Sequence, residues 1–303
     1  MPTIAGQRCN AVSLNDLPCS GRRARGDVRG ACGNDARQRR GRLRARVTVA
    51  PKKALGQHFL VDENILRVVG RLAELGDADV VLELGPGLGV LTRYLADHVR
   101  VVHAVELDRS LEPALRDALG DRPNVRLIWG DALDLDVHSL RPAPTKLVAN
   151  LPYNIATPLI METLEHAASL QHWCVMVQRE VADRLFAQPR TKAYGAVSVL
   201  VQLSARRTGF HPVPPTVFRP RPRVESALVA FERSAIAPIA SVRAVVEAAF
   251  AHRRKTLANS IALAGLARRS LVEEALAATG LSARARAEDL QPKEFVELAS
   301  NLR

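Results

Sequence analysis

The sequence predicts an α/β fold built on a parallel sheet, followed by a smaller helical domain. Two observations carry this prediction. From residue 79 onward, short β-branched runs alternate with segments of helical periodicity, and after residue 240 only short amphipathic helices remain. Alternating strands and helices imply right-handed βαβ units, in which consecutive strands lie parallel in one sheet.

The first half of this region contains four predicted strands, at Val80–Leu84, Val101–Glu106, Val125–Trp129 and Lys146–Ala149. Helices are predicted between them, the first directly after Gly89 and the second from Arg109. Another helix follows Thr157, and we expect Thr157 to cap it, because a threonine hydroxyl accepts from first-turn amides and Pro158 suits the first turn. These elements place successive strand ends on one edge of the sheet.

The second half continues the alternation up to about residue 235. Its predicted elements are two apolar runs, Trp173–Val177 and Ala227–Phe231, and five helical stretches, Glu180–Phe186, Tyr194–Leu203, Val242–Ala251, Leu271–Ala278 and Pro292–Ser300. We therefore divide the chain into an N-terminal tail 1–46, an α/β domain 47–235 and a helical domain 236–303.

The N-terminal tail carries most of the net charge. Residues 1–46 hold eleven Arg, no Lys and three Asp, which is +8 of the formal +12, so the rest of the chain is only mildly basic. A segment rich in Arg, Gly, Asn and Asp, without an apolar period, cannot repay its ordering entropy. The tail is therefore predicted to be disordered, and the charge balance indicates a polyanionic partner.

Composition also indicates the compartment. No apolar stretch approaches the roughly 18 to 20 residues that a membrane helix requires, so a soluble protein without a membrane partner is expected. Three of the four cysteines, Cys9, Cys19 and Cys32, lie in the tail at spacings that match no zinc motif, and Cys174 lies in an apolar run. We expect no bound metal, unpaired thiols and a cytoplasmic location.

The first strand ends in a glycine-rich turn, with Gly85, Gly87 and Gly89 before the following helix. Glycines allow a ligand to approach the backbone at such a turn. Glu106 ends the second strand, where an acid can accept both hydroxyls of a ribose, and Asp131 follows the third, where it can accept from an adenine amine. Together they favour an adenosine-bearing ligand. The turn reads Gly-x-Gly-x-Gly after an acid, whereas nicotinamide sites use Gly-x-Gly-x-x-Gly.

In these features the chain resembles the class I S-adenosylmethionine methyltransferases. That resemblance implies a Rossmann-like, seven-stranded and mostly parallel sheet with a late antiparallel strand, and S-adenosylmethionine as the cofactor.

The fourth strand leads into the turn Asn150-Leu151-Pro152-Tyr153, which suggests the reaction. The N6 amine of adenine is a poor nucleophile, because its lone pair is delocalised into the ring. The Asn150 side-chain oxygen and the Leu151 carbonyl can accept its two protons and direct the lone pair at a methyl donor. Pro152 stiffens the turn, and Tyr153 offers a face for stacking, worth roughly 1–3 kcal/mol per base.

Several longer motifs resemble the KsgA (RsmA) family of small-subunit ribosomal RNA adenine N6-dimethyltransferases. They are Lys52–Leu60, the glycine turn, Asn150–Pro158, Gln178–Ala182, Tyr194-Gly195 and Arg253–Leu257. The resemblance covers about residues 50–303. It implies dimethylation of two adjacent adenines in a hairpin loop near the 3′ end of 16S ribosomal RNA, within the immature small subunit, and a role in its maturation.

The family resemblance also implies roles for individual residues. His58 and Leu60 would close over the methionine end of the cofactor, Gly85 would contact its backbone, Glu106 the ribose and Asp131 the adenine. Asn150 would meet both the methyl donor and the target amine. Phe218 takes the place of a second aromatic against the target base. The chain departs from the family at His58, where Asn is more usual, and this makes the pH dependence of cofactor affinity near 6.5 an open question.

Basic residues flank the proposed cleft in the family arrangement and are interpreted as contacts to RNA phosphates. They are Lys52, Lys53, Arg219, Arg221, Arg223, Arg253, Arg254 and Lys255.

Three alternative functions remain at this stage. Erythromycin-resistance methyltransferases share the turn but act on large-subunit RNA, and the long C-terminal segment argues against them. A DNA adenine methyltransferase more often has Pro where Leu151 stands. A non-catalytic ribosome-assembly factor would keep the fold, although Asn150, Glu106 and Asp131 favour activity. We expect a monomer.

Overall fold

The computed structural model describes residues 52, 56–234 and 236–302. Contacts divide the chain after residue 48, so all described residues fall in one compact unit, 49–303. The predicted disorder of the tail, and the residues Lys53, Cys9, Cys19 and Cys32, lie outside the described residues.

The described part contains nine strands: β1 Phe59–Leu60, β2 Val80–Leu84, β3 Val101–Glu106, β4 Val125–Trp129, β5 Lys146–Asn150, β6 His172–Gln178, β7 Ala205–Val213, β8 Phe218–Arg219 and β9 Ser226–Arg233. It contains ten α-helices: α1 Glu63–Leu72, α2 Val90–Ala96, α3 Glu112–Leu119, α4 Ala156–His166, α5 Arg179–Leu185, α6 Ala196–Ser204, α7 Ile239–Phe250, α8 Leu257–Leu263, α9 Arg269–Ala278 and α10 Pro292–Asn301.

Seven strands form the main sheet, in the order β4-β3-β2-β5-β6-β9-β7. β2 to β6 pair in parallel, and β9 runs antiparallel to both of its neighbours. The predicted seven-stranded, mostly parallel sheet with a late antiparallel strand is confirmed. β1 and β8 form a separate two-stranded sheet, in which Leu60 pairs with Phe218.

The central strands are buried on both faces, which is why they read as continuous apolar runs. In β2, Val81 belongs to one hydrophobic cluster and Leu82 to the other, because neighbouring side chains point to opposite faces of the sheet. The cluster that contains Leu82 also contains Val242, Leu257 and Phe295 of the C-terminal helices. The C-terminal helices therefore share a core with the sheet, and the proposed boundary at residue 235 stays a prediction.

Two local expectations are corrected by the structure. Helix α4 begins at Ala156, with Ile155 at its N-cap and no side-chain cap, so Thr157 does not cap it. The cause is the preceding turn, in which the Ile155 amide already donates to the Pro152 carbonyl. Strand β7 was not predicted, because its sequence contains Arg206, Arg207 and Pro212 and lacks an apolar period.

In the described part of the chain, no helix is long and apolar enough to cross a membrane.

Candidate active site

A cavity lies at the carboxyl ends of β2, β3, β4 and β5. Its lining includes every residue predicted to contact the cofactor or to form the catalytic turn, with the exception of Phe218: His58, Leu60, Gly85, Gly87, Glu106, Asp131, Asn150, Leu151, Pro152 and Tyr153. Crevices at this edge of a parallel sheet are where α/β folds bind ligands.

The glycine turn between β2 and α2 forms one wall of the cavity. Gly87 has a φ of 59°, in the left-handed region, and the ring of Phe59 lies against it. A Cβ at residue 87 would lie 2.9 Å from Phe59 Cδ1. Glycine is therefore required both by the backbone conformation and by the close approach of β1.

Glu106 ends β3 and is buried, with 7% of its surface exposed. Its Oε2 accepts from the Gly87 amide at 3.0 Å, and its Oε1 accepts from the Asp108 amide at 2.9 Å. Burial raises the pKa of Glu106, and the two amide donors oppose that rise. A carboxylate oxygen can accept more than one hydrogen bond, so both oxygens retain acceptor capacity for a ligand.

Asp131 follows β4, and one of its carboxylate oxygens, Oδ1, accepts from the Leu133 amide at 2.9 Å. Two leucines on the cavity wall were not singled out from the sequence. Leu107 is 52% exposed and Leu133 is 38% exposed, although both are large apolar side chains. Exposed apolar side chains on a concave surface are typical of a site for a flat, partly apolar ligand.

Glu83 also lines the cavity, and it was noted from the sequence only as the acid before the glycine turn. It is 1% exposed, and its Oε2 has no hydrogen-bond partner among the described residues. Burial raises the pKa of Glu83 to about 8, and the nearby charge of Glu106 adds to the rise. An orphaned buried oxygen of this kind suits a ligand that brings a positive charge or a donor.

The catalytic turn is held in place by the segment that contains β1. Asn150 Nδ2 donates to the His58 carbonyl at 2.9 Å. Because that carbonyl can only accept, it determines which end of the amide is the nitrogen, and it leaves Asn150 Oδ1 as an acceptor on the other side. The next residue is fixed as well, since the Leu151 amide donates to the Met176 carbonyl at 3.0 Å.

Tyr153 is fixed by two contacts. Its hydroxyl hydrogen-bonds to the hydroxyl of the buried Ser226, and its ring stacks on His58 with centroids 5.3 Å apart. His58 is itself held by Pro220, whose carbonyl lies 2.8 Å from Nδ1. Because a carbonyl accepts, Nδ1 is the donor in this hydrogen bond. The family-typical Asn cannot form this stack.

Phe218 is not brought to the cavity. It is completely buried, and it packs in the hydrophobic cluster on the β1–β8 side of the sheet. In this conformation its ring cannot touch a base, because β8 pairs with β1 and holds it inside. The contact of Phe218 with the target base therefore stays a prediction.

The predicted RNA contacts lie outside the cavity. Arg219, Arg221, Arg223, Arg253, Arg254 and Lys255 are all exposed. Arg253 pairs with Glu288 at 3.3 Å. Lys52 differs from this group, because its Nζ lies 2.6 Å from Asp108 Oδ1.

Two solved structures share this fold. A dimethyladenosine transferase from Plasmodium falciparum matches with a TM-score of 0.69 and 22% identity over 80% of this chain and 96% of that one. The 23S rRNA methyltransferase ErmE matches with a TM-score of 0.61 and 28% identity, over 80% of this chain and 99% of that one. The sheet order and the site at its carboxyl edge thus define a methyltransferase of class I.

The chain belongs to the ribosomal RNA adenine dimethylase family, whose model matches residues 49–303. A ribosomal RNA small subunit methyltransferase A from Rubrobacter xylanophilus is 51% identical over 253 residues, which cover 83% of this chain and 95% of the relative. The protein of the same name from Thermobifida fusca is 43% identical, over 86% of this chain and 93% of the relative. The predicted KsgA (RsmA) family is confirmed, and the chain is a ribosomal RNA adenine methyltransferase.

Proposed function

We propose that this protein transfers methyl groups from S-adenosylmethionine to the N6 amines of two adjacent adenines. We place them in a hairpin loop near the 3′ end of 16S ribosomal RNA in the immature small subunit. The observation that carries the proposal is the orientation of Asn150. Its Nδ2 is occupied by the His58 carbonyl, so Oδ1 is the atom left to meet an amine.

The cavity fits a positively charged adenosine derivative. Its walls combine the orphaned Glu83 oxygen, the partly satisfied Glu106 carboxylate and two exposed leucines beside Asp131. Glu106 would accept from the ribose hydroxyls and Asp131 from the adenine amine. Gly85 and Gly87 would contact the cofactor through the backbone, with His58 and Leu60 near its methionine end. When bound, S-adenosylmethionine supplies a methyl group already activated by its sulfonium charge.

Asn150 and Leu151 would orient the target amine. The Asn150 Oδ1 and the Leu151 carbonyl accept its two protons, which directs the nitrogen lone pair at the methyl group. Transfer then depends on an in-line approach at about 3–3.5 Å, and a strong general base is not needed. The ring of Tyr153 would stack on the target base, while its hydroxyl keeps its hydrogen bond with the Ser226 hydroxyl. Phe218 has no part in this arrangement while it stays buried.

The substrate has to be a single-stranded or loop adenine, because a base can enter the cavity only after it is unstacked. The exposed cations Arg219, Arg221, Arg223, Arg254 and Lys255, together with Arg253, would hold the surrounding phosphates. The catalytic domain would thus supply the cofactor site, and the C-terminal helices part of the grip on the RNA.

The experiment has a cellular and a purified arm. Methylated adenines are mapped in ribosomal RNA from cells with and without the gene, and purified variants are assayed on immature small subunits. Asn150→Ala should abolish transfer and leave RNA affinity within a few-fold, because the contact orients the amine for transfer and contributes little to ground-state binding. Asn301→Ala serves as the control, since this exposed amide donates only to the Glu297 carbonyl. Normal methylation by Asn150→Ala would overturn the mechanism.

One other substrate deserves a direct comparison, because ErmE is 28% identical over nearly its whole length. Large-subunit RNA should therefore be offered to the same enzyme. The relatives from Rubrobacter xylanophilus and Thermobifida fusca are small-subunit enzymes by name and more similar in sequence, which favours the small subunit. Methylation of 23S RNA alone would reverse this assignment.

A further inference from the structure

Five residues before α1 form a strap along the cavity, Gly56–Leu60, and all five line it. The C-terminal end of the strap is held by backbone contacts. Phe59 and Leu60 pair with β8, and the His58 carbonyl accepts from Asn150. This end is therefore tied to the catalytic turn.

The N-terminal end of the strap is held by side chains. Gln57 Nε2 donates to Asp108 Oδ2 at 3.0 Å, and Lys52 Nζ lies 2.6 Å from Asp108 Oδ1. The Lys52 amide in turn donates to Gln57 Oε1 at 2.8 Å. Both side chains thus converge on one carboxylate that is more than fifty residues away in the sequence.

The Asp108 carboxylate is buried and accepts further hydrogen bonds from its own segment. It is 4% exposed, and its Oδ1 also accepts from the amide and the hydroxyl of Ser110. Burial alone would raise the pKa of Asp108, but the hydrogen bonds from Lys52, Ser110 and Gln57 outweigh it and hold the pKa at about 2. The carboxylate is ionised at any working pH.

Asp108 also touches the cofactor side of the site. Its backbone amide donates to Glu106 Oε1 at 2.9 Å, and Glu106 Oε2 accepts from Gly87. One residue therefore connects the strap to the acid that is proposed to bind the ribose.

We propose that Asp108 is a positioning residue, whose carboxylate holds the N-terminal end of the strap against the cofactor site through Gln57 and Lys52. The inference rests on the proposed function, since it takes the cavity to be the S-adenosylmethionine site. It assigns Lys52 to the protein's own carboxylate. The sequence predicted that Lys52 contacts an RNA phosphate instead, and the RNA-affinity measurement below tests that alternative.

The test changes the side chains that contact Asp108 and leaves Asp108 itself in place. Asp108 is not substituted, because its carboxylate also accepts from the Ser110 amide and caps the 3-10 helix Arg109–Leu111. A substitution there would disturb this helix as well as the strap. The double variant Lys52→Ala/Gln57→Ala removes both side-chain donors to Asp108, and with them the Gln57 oxygen that accepts from the Lys52 amide. Lys52→Arg is the rescue, because arginine can keep the ion pair. Arg116→Ala is the matched control, since it breaks an exposed ion pair with Glu112 on α3.

Three quantities are measured: the Kd for S-adenosylmethionine by calorimetry, the RNA affinity over a salt series, and the ¹⁵N order parameter of the His58 backbone amide in the cofactor-free protein. If the freed strap is in its binding position about a tenth of the time, the Kd rises about tenfold. The order parameter of His58 in the double variant should fall from about 0.85 to below about 0.6. RNA affinity should stay within twofold, and Lys52→Arg and Arg116→Ala should behave like the unaltered protein.

An unchanged Kd and order parameter would overturn the proposal, and a fall confined to RNA affinity would return Lys52 to phosphate binding. If the unaltered protein does not bind S-adenosylmethionine, the proposed function fails, and the order parameter of His58, compared between the unaltered protein and the double variant, still decides whether Asp108 holds the strap.

Discussion

At the scale of single residues, three carboxyl groups at or next to the cavity, those of Glu83, Glu106 and Asp108, receive different numbers of hydrogen bonds. Asp108 receives four hydrogen bonds to its carboxylate, Glu106 receives two backbone amides, and one oxygen of Glu83 receives none from the described residues. The pKa follows this order, about 2 for Asp108 and about 8 for Glu83. Of these three groups, Asp108 is held ionised beside Lys52, whereas burial favours the protonated form of Glu83.

The raised pKa of Glu83 predicts a pH-dependent stability. The folded protein keeps the proton up to about pH 8, whereas the unfolded chain loses it near 4.5. The folded state thus binds more protons between these values, and the free energy of unfolding should fall as pH rises, by at most about 1.4 kcal/mol per unit. Glu83→Gln should remove this slope in urea denaturation at pH 5, 6.5 and 8.

The control for this prediction is Glu112→Gln, which removes a half-buried surface carboxylate paired with Arg116. The stability difference between Glu83→Gln and the unaltered protein should widen steadily towards pH 8. Parallel pH profiles would show that Glu83 is already ionised in the folded state.

At the scale of elements, the strand-to-helix turn is constrained by the strap. Gly87→Ala should place a methyl group against Phe59, which costs about 1–3 kcal/mol as overpacking, and should displace β1 from the cofactor site. Gly280 is a matched control, because its φ of 73° is also left-handed but nothing lies within 4 Å of a Cβ there.

Both alanine variants pay the backbone cost of about 1–2 kcal/mol for a left-handed residue, so both should lose a similar amount of thermal stability from this source. Only Gly87→Ala should also weaken S-adenosylmethionine binding, measured by calorimetry. Equal cofactor affinity in the two variants would mean that the contact with Phe59 does not shape the site.

The apolar strands were predicted better than the polar one. β2 and β3 begin and end at the predicted residues, because strands inside a parallel sheet are continuous apolar runs. The edge strand β4 also matches its predicted bounds, since it keeps the apolar residues Val125, Leu127 and Ile128. β7 escaped prediction because an edge strand with one neighbour can carry polar residues, and α4 began early because a tertiary turn preceded it. Edges and boundaries depend on contacts that a local pattern does not contain.

The same distinction applies to the site. Glu106, Asp131 and Asn150 could be placed because each lies at or just after the carboxyl end of a parallel strand, and such ends meet at one edge of the sheet. The contact of Lys52 with Asp108 could not, because it joins residues 56 positions apart, and the burial of Phe218 could not, because it depends on how β1 and β8 pair. Pairing between two-residue strands leaves no signal in the sequence.

At the scale of the whole molecule, the charge is divided between the tail and the family-matched region. The tail carries +8 of the net +12, yet every family motif lies beyond it. Exposed cations near Arg253 lie on the C-terminal side, away from the cavity lining. Total charge and substrate choice are therefore expected to depend on different parts of the chain.

This division predicts different effects for two variants. Neutralising Arg253, Arg254 and Lys255 together should depress methylation of immature small subunits and leave cofactor affinity unchanged. It should also lower the salt slope of RNA binding by about 0.7–0.9 per lost phosphate contact. Deleting residues 1–46 should reduce nonspecific, salt-dependent RNA affinity and leave the methylated positions unchanged.

Both variants would be assayed for methyl transfer over a salt series, with the modified adenines mapped. A change in which adenines are modified after the deletion would move substrate recognition into the tail. Normal methylation after Arg253, Arg254 and Lys255 are neutralised would likewise indicate that the tail recognises the substrate.

The strap has a consequence for cofactor exchange between successive methyl transfers. Dimethylating one adenine consumes two donor molecules, so under the proposed function a spent cofactor has to leave and a fresh one has to enter between the two transfers. If Asp108 holds the strap Gly56–Leu60 in place, as proposed, the strength of that hold affects how fast the cofactor exchanges. A tighter hold would retain each donor longer and slow the exchange, whereas a looser one would exchange faster and let donors escape unused. The strength of the contacts that Lys52 and Gln57 make with Asp108 would then influence cofactor exchange. It would thereby also influence how often the enzyme releases an adenine that carries only one methyl group.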